Sequence, residues 1–334
     1  MHKKARLALP VILLLPTLIL ACGPGQGPTA PETMTLAMGF IPNIQFAPFY
    51  VAVEKGYFAE EGIEVEFDYG WETDLLKLVG GGELQFAIAS GDQVILARSQ
   101  GLPVVYAMNW YRRFPVCIVS LKAVGIQQPS DLAGRVVGTP ATYGASYIGW
   151  RALLDAVGIQ EAEVDLVSIG YTQVAALTEG QVDAAVCYAM NEPVQLRVAG
   201  EAIDIIYVSD YMNLVSNGLI TNEVTAAEQP ELVEALVRAV LRGLVATLES
   251  PDEAFEIARE YVPELASDAD TEAVNRAILT ESLEFWWAPA GELGYSNEAD
   301  WRASQQIMIK MGLLAAESDV TQMFTNRFVQ AASP

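Results

Sequence analysis

From residue 34 the chain alternates short apolar runs with segments of helical periodicity, and it does so as far as Ile220. The runs at 34–40, 63–67, 86–89 and 104–108 read as strands, with helices predicted at 49–61, 72–80 and 91–100 between them. A second series places strands at 117–121, 136–139, 164–168, 184–188 and 203–208, and helices at 146–157, 172–179 and 191–200. After Ile220 only helical patterns follow, at 229–249, 251–261, 271–288 and 297–311. Strands joined through helices pair in parallel, because the crossover returns the chain to the same end of the sheet. The expected fold class is therefore α/β, with mainly parallel sheets covered by helices on both faces. At 334 residues the chain is long enough for two such units.

The charge balance removes several functions at once. Asp and Glu number 42 against 19 Lys and Arg, a formal net charge of −23, so no extended face can neutralise phosphates and nucleic acid is not a partner. His2 is the single histidine and lies in a segment read below as removed. A Ser-His-Asp triad, a Cys-His pair, a His-ligated zinc and a His general base are excluded together. No metal and no cofactor are expected. Cys117 and Cys187 sit in apolar runs. They could pair in an oxidising compartment or remain two inert buried thiols.

The first residues read as an export signal. Lys3, Lys4 and Arg6 lead into an apolar run from Leu7 to Ala21, broken by Pro10 and Pro16. The run is too short to span a bilayer comfortably, which takes about 20 apolar residues. It ends in Ile19-Leu-Ala-Cys22, similar to a bacterial lipobox, in which the cysteine is lipidated and becomes the new N-terminus. Residues 1–21 are expected to be removed, with Cys22 lipidated and 22–33 a Gly/Pro-rich tether. The expected location is the extracytoplasmic face of the cell membrane, with the folded body held in water by the lipid.

Four stretches are specific. The first runs from Gly39-Phe-Ile-Pro-Asn-Ile-Gln-Phe46 through Glu54-Lys-Gly-Tyr-Phe-Ala-Glu-Glu-Gly-Ile-Glu-Val-Glu66. The others are Gly80-Gly-Gly-Glu-Leu-Gln-Phe-Ala-Ile-Ala-Ser90, Asp131-Leu-Ala-Gly-Arg-Val-Val-Gly-Thr-Pro140 and Leu177-Thr-Glu-Gly-Gln-Val-Asp-Ala-Ala-Val186. Together they resemble the NMT1/THI5-like solute-binding proteins of ABC importers, over nearly all of residues 34–310. The resemblance implies a type II periplasmic-binding-protein fold: two α/β domains, a ligand cleft between them and two crossover segments. The crossovers are expected near 113–116 and 216–221, giving one domain of 34–114 plus 221–334 and another of 115–220. It also implies a monomer that binds a small molecule and delivers it to permease and ATPase subunits.

The candidate ligand residues are Asn43, Phe46, Trp71, Trp110, Tyr111, Thr139, Tyr143, Ser146, Tyr188, Asn191 and Glu192. In the pyrimidine-binding branch the first loop reads Pro-Asn followed after two residues by His. Pro42 and Asn43 match that pattern, and Phe46 stands at the His position. Asn43 can serve a heterocycle edge or cap a helix, and Phe46 can face ligand or core. The loop from Thr139 to Ser146 carries no Lys or Arg, so it suits a neutral acceptor better than a sulfonate. Tyr188, Asn191 and Glu192 lie at a strand-to-helix junction, where Glu192 either accepts from ring N–H groups or serves its own helix dipole. Trp71 and the Trp110-Tyr111 pair follow predicted strands and are expected to face the cleft, where stacking contributes about 0.5–1.5 kcal/mol per pair. Trp286-Trp287 reads as packing, and Gly80–Gly82 as a helix end rather than a phosphate loop.

Phe46, the surplus of aromatics and the absence of a basic anion loop favour riboflavin as ligand. A thiamine-pyrimidine precursor is the alternative, followed by a sulfonate or nitrate. An enzyme is not expected: the family's pyrimidine synthases consume their own active-site histidine, and this chain offers none after His2. A sensory role for the same fold stays open.

Overall fold

The computed structural model describes residues 32–289 and 291–332. The export signal of residues 1–21, Cys22 and the tether up to residue 31 lie outside the described residues. The tether's last two residues already belong to a strand, β1 (Glu32–Met38). Strands β2 (Ile63–Tyr69), β3 (Phe86–Ser90) and β4 (Val104–Asn109) alternate with α1 (Ala47–Glu54), α2 (Tyr57–Glu60), α3 (Glu72–Gly81) and α4 (Gly91–Ser99). The second series contains β5 (Val116–Leu121), β6 (Val136–Thr139), β7 (Asp165–Ser168), β8 (Ala184–Tyr188) and β9 (Ile203–Tyr207). Its helices are α5 (Gly144–Val157), α6 (Gln173–Thr178) and α7 (Glu192–Val198). A further strand, β10 (Asn217–Asn222), precedes the helical tail of α8 (Glu223–Glu228), α9 (Pro230–Glu249), α10 (Pro251–Tyr261), α11 (Ala269–Trp286), α12 (Glu298–Lys310) and α13 (Arg327–Ala332).

The strands form two five-stranded sheets, ordered β2-β1-β3-β10-β4 and β7-β6-β8-β5-β9. In the first, β1 pairs in parallel with β2 and β3, while β10 runs antiparallel between β3 and β4. In the second, β6 pairs in parallel with β7 and β8, while β5 runs antiparallel between β8 and β9. Each sheet thus holds one reversed strand, the one the chain forms on arriving from the other sheet. The crossings are 110–115 and 208–216, so the second falls earlier than the expected 216–221. That expected segment is β10 itself. Its apolar centre, Leu219-Ile220, is too short to show a period.

Local chemistry explains the element ends. Gly56 takes φ +72° and splits the helix expected over 49–61 into α1 and α2. Without a Cβ, glycine enters this left-handed region at no steric cost. β3 is buried along its whole length, as expected for an inner strand, whereas β2 at the sheet edge alternates buried with more exposed positions. In the tail, α9 lies against α1 so closely that a Cβ on Gly243 would come within 2.1 Å of the Pro48 carbonyl oxygen. Trp150, Trp286 and Trp301 are fully buried. Truncating a side chain of this kind to Ala costs about 3–5 kcal/mol. Cys117 and Cys187 face each other in register on β5 and β8 as buried free thiols. Burial pushes both thiols well above the ordinary cysteine range.

Candidate functional site

Parallel strands present their C-terminal ends, and the helix starts that follow, along one edge of a sheet. Here β1, β2 and β3 of one sheet and β6, β7 and β8 of the other open onto one cleft enclosing about 860 Å³ of empty space, mouth included. The first sheet contributes Gly39, Phe40, Gln45, Phe46, Trp71, Glu72, Gln93, Trp110 and Tyr111. The second supplies Pro140, Tyr143, Ser146, Tyr171, Gln173, Tyr188, Asn191 and Glu192, and Asn217 on β10 joins them.

Of the expected ligand residues, Phe46, Trp71, Trp110, Tyr111, Tyr143, Ser146, Tyr188, Asn191 and Glu192 line this cleft. Asn43 does not. Its carboxamide oxygen accepts from the Gln45 N–H at 3.0 Å and caps the short turn 44–46. Thr139 is fully buried and donates its hydroxyl to the Ala141 carbonyl at 3.0 Å, away from the cleft. Both are structural for the same reason: a side-chain oxygen beside an unpaired backbone group is taken up locally.

One wall is aromatic. Trp110 is 2% exposed and stands edge-on to Phe49 at 5.0 Å and to Tyr111 at 4.7 Å. It is tilted against Phe46 at 6.0 Å and Trp286 at 5.5 Å, so α11 of the tail supports the wall from behind. The Trp110 Nε1 is buried without a partner. Tyr111 donates to Gln45 Oε1 at 3.1 Å and Tyr188 to Asn217 Oδ1 at 3.4 Å, and burial raises both phenols. The mouth is aromatic as well. Trp71 and Tyr171 stack at 4.7 Å and 18°, Tyr143 leans on Trp71 at 5.9 Å, and Phe40 meets Tyr171 edge-on at 4.7 Å.

The polar groups are carboxyls and amides, and no Lys or Arg lines the cleft among the described residues. Glu72 accepts from the Ser90 N–H, and Asp92 behind it accepts from the Gln93 N–H at 2.7 Å. Glu192 accepts from the Tyr188 N–H at 3.0 Å and from Asn191 Nδ2 at 3.1 Å; Asn191 in turn accepts from Gln195 at 3.0 Å. Burial pushes the Asp92 and Glu192 carboxyls up to about 7, and burial together with the neighbouring Asp92 raises Glu72.

Gln93 was not anticipated. It is 2% exposed, and its Nε2 has no hydrogen-bond partner. Gly144, at φ +85°, leaves it room: a Cβ there would stand 3.1 Å from that nitrogen. The available signal was the polar run Ser90-Gly-Asp-Gln93, which follows an entirely apolar strand at its C-terminal end. Glu72, Tyr171 and Asn217 occupy similar strand-end positions and were also missed. Leaving a buried donor unpaired costs about 1–3 kcal/mol. Gln93→Met should therefore raise ligand-free stability by about 1 kcal/mol while weakening ligand binding. A denaturant midpoint at or below that of the parent protein contradicts this.

The family model described as NMT1/THI5 like matches residues 43–254. The chain belongs to the NMT1/THI5-like family. It is 43% identical to riboflavin-binding protein RibY of Chloroflexus aurantiacus, with 100% of both chains covered. It is 31% identical to a formylaminopyrimidine-binding protein of Halalkalibacterium halodurans, over 81% of this chain and 82% of that one. A more distant family member, 25% identical over 89% of this chain and 92% of its own, is named 4-amino-5-hydroxymethyl-2-methylpyrimidine phosphate synthase in Legionella pneumophila. Among solved structures, the alkanesulfonate-binding protein SsuA of Xanthomonas axonopodis pv. citri bound to MOPS superposes with a TM-score of 0.68 at 12% identity, covering 89% of this chain and 99% of that one. The fold is the periplasmic-binding-protein fold that the NMT1/THI5-like resemblance implied.

Proposed function

We propose that the chain is the extracytoplasmic solute-binding protein of an ABC importer and that its ligand is riboflavin. The observation that carries this is full-length likeness, at 43% identity, to a protein named for riboflavin binding. The cleft supports it chemically. A tricyclic ring needs broad apolar faces, which Phe46, Trp110 and Tyr111 offer, and edge partners for its carbonyl and N–H groups, which Gln93 and Glu72 offer. The two sheets, one built from 32–109 with 217–222 and the other from 116–207, each with its covering helices, act as two halves that close on the ligand. The protein works as a lipid-anchored monomer and passes its ligand to permease and ATPase subunits. It is not an enzyme, since residues 32–332 contain no histidine to serve the synthase chemistry.

A thermal-shift panel of riboflavin, thiamine, formylaminopyrimidine and taurine tests the assignment. Riboflavin alone should raise the melting temperature, in line with about 2.7 kcal/mol of added stability at a hundredfold excess over Kd. A shift with formylaminopyrimidine and none with riboflavin would move the ligand to the pyrimidine class. Expressed with its first 21 residues, the protein should sediment with membranes, and Cys22→Ala should release it.

A further inference from the structure

In a fold of this kind an anionic ligand is held by backbone N–H groups at strand-to-helix turns, by cationic side chains, or by both. In this cleft three of those amides are already engaged by side chains. The Ser90 N–H is taken by Glu72, the Gln93 N–H by Asp92 and the Tyr188 N–H by Glu192. These carboxyls belong to three separate turns, after β2, β3 and β8. No Lys or Arg lines the cleft among the described residues. The donors left buried and unpaired are neutral, namely Gln93 Nε2 and Trp110 Nε1.

We propose that the cleft admits the uncharged heterocycle and refuses its phosphate esters, because the protein's own carboxyls hold three of the amide positions a ligand anion would use and no cationic side chain lines the cleft among the described residues. This rests on the flavin reading for the identity of the ligand, while the charge rule itself applies to any ligand of the cleft. A phosphate entering here would meet carboxyl oxygens with no cation to neutralise it and would surrender its hydration. A carbonyl or ring N–H meets the same wall without that cost. The start of α5 carries no acidic residue in its first turn and remains open to a hydroxyl or carbonyl oxygen.

The test pairs each neutral compound with its anion. Riboflavin and riboflavin 5′-phosphate are titrated by fluorescence, and hydroxymethylpyrimidine, its phosphate and ethanesulfonate by thermal shift. Each phosphate should bind at least about a hundredfold more weakly than its parent, and ethanesulfonate should give no shift. Glu72→Gln keeps an oxygen for the Ser90 N–H, and Glu192→Gln keeps one for Tyr188. Each should narrow the riboflavin-to-phosphate ratio by about tenfold in titrations at pH 9, where the parent carboxyls are ionised. Equal binding of riboflavin and its phosphate, a shift with ethanesulfonate, or an unchanged ratio in both variants overturns the charge rule. If no flavin binds but the pyrimidine does and its phosphate does not, the flavin reading falls and the charge rule stands. If no neutral compound binds, both fall.

Discussion

Trp110→Ala should lower folding stability by about 3–5 kcal/mol and abolish tight ligand binding in the same molecule. The two losses share one origin. Trp110 packs against Phe46, Phe49, Tyr111 and Trp286, and it also forms the cleft wall. Removing the indole leaves a cavity that these four rings are too tightly packed to fill. Trp110→Phe should restore most of the stability and only part of the affinity, since it returns the packing but not the Nε1 donor. Trp71→Ala should behave differently. At 37% exposure its main ring partners are Tyr171 and Tyr143 at the mouth, so stability should change by less than about 1 kcal/mol while bound ligand escapes faster. Denaturant unfolding and ligand titration on the three variants separate these effects. A Trp110→Ala protein that unfolds like the parent would show that the wall is not part of the core.

Asp92→Asn should stabilise the protein at pH 8 by on the order of 3–4 kcal/mol and flatten its pH dependence. Asp92 is fully buried, one of its oxygens has no partner, and burial lifts its carboxyl from 3.8 to about 7. In the unfolded chain the same group ionises near its ordinary value. Between about pH 4 and pH 7 the unfolded state therefore holds fewer protons than the folded one, and stability falls as pH rises through that window. Below it neither state is ionised, and above it the penalty is complete and constant. Glu192, also raised to about 7, contributes with the same sign, and so does Glu72. Denaturation midpoints measured from pH 5 to pH 8 should decline in the parent protein and decline less in the variant. An Asp92→Asn protein less stable than its parent at pH 8 would contradict this account.

The two series of strands and helices were legible because inner strands such as β3 are apolar from Phe86 to Ala89 and the helices between them are periodic. What escaped was set by tertiary context. β10 pairs with two strands far away in sequence and has almost no local pattern of its own. The reversal of β5 follows from which strand it meets, Ala184–Tyr188, and no window of sequence contains that information. In the site, aromatic residues after strands were readable because their placement has little purpose outside a cleft. Glu72 and Asp92 looked like ordinary first-turn acids, and their burial appears only once the sheets are assembled. Asn43 and Thr139 fall outside the cleft lining for the opposite reason. Their hydroxyl or amide oxygen was satisfied within two residues.

The ring pair at the mouth bears on how fast a flat ligand can load. Trp71 and Tyr171 lie 4.7 Å apart, and a third plane between them would need roughly twice the 3.5 Å contact distance of carbon atoms. No flat molecule slips through while they touch. A ligand taking the path between them must wait for the rings to part, and along that path the observed association rate should climb with ligand concentration and then level off at the frequency of that parting.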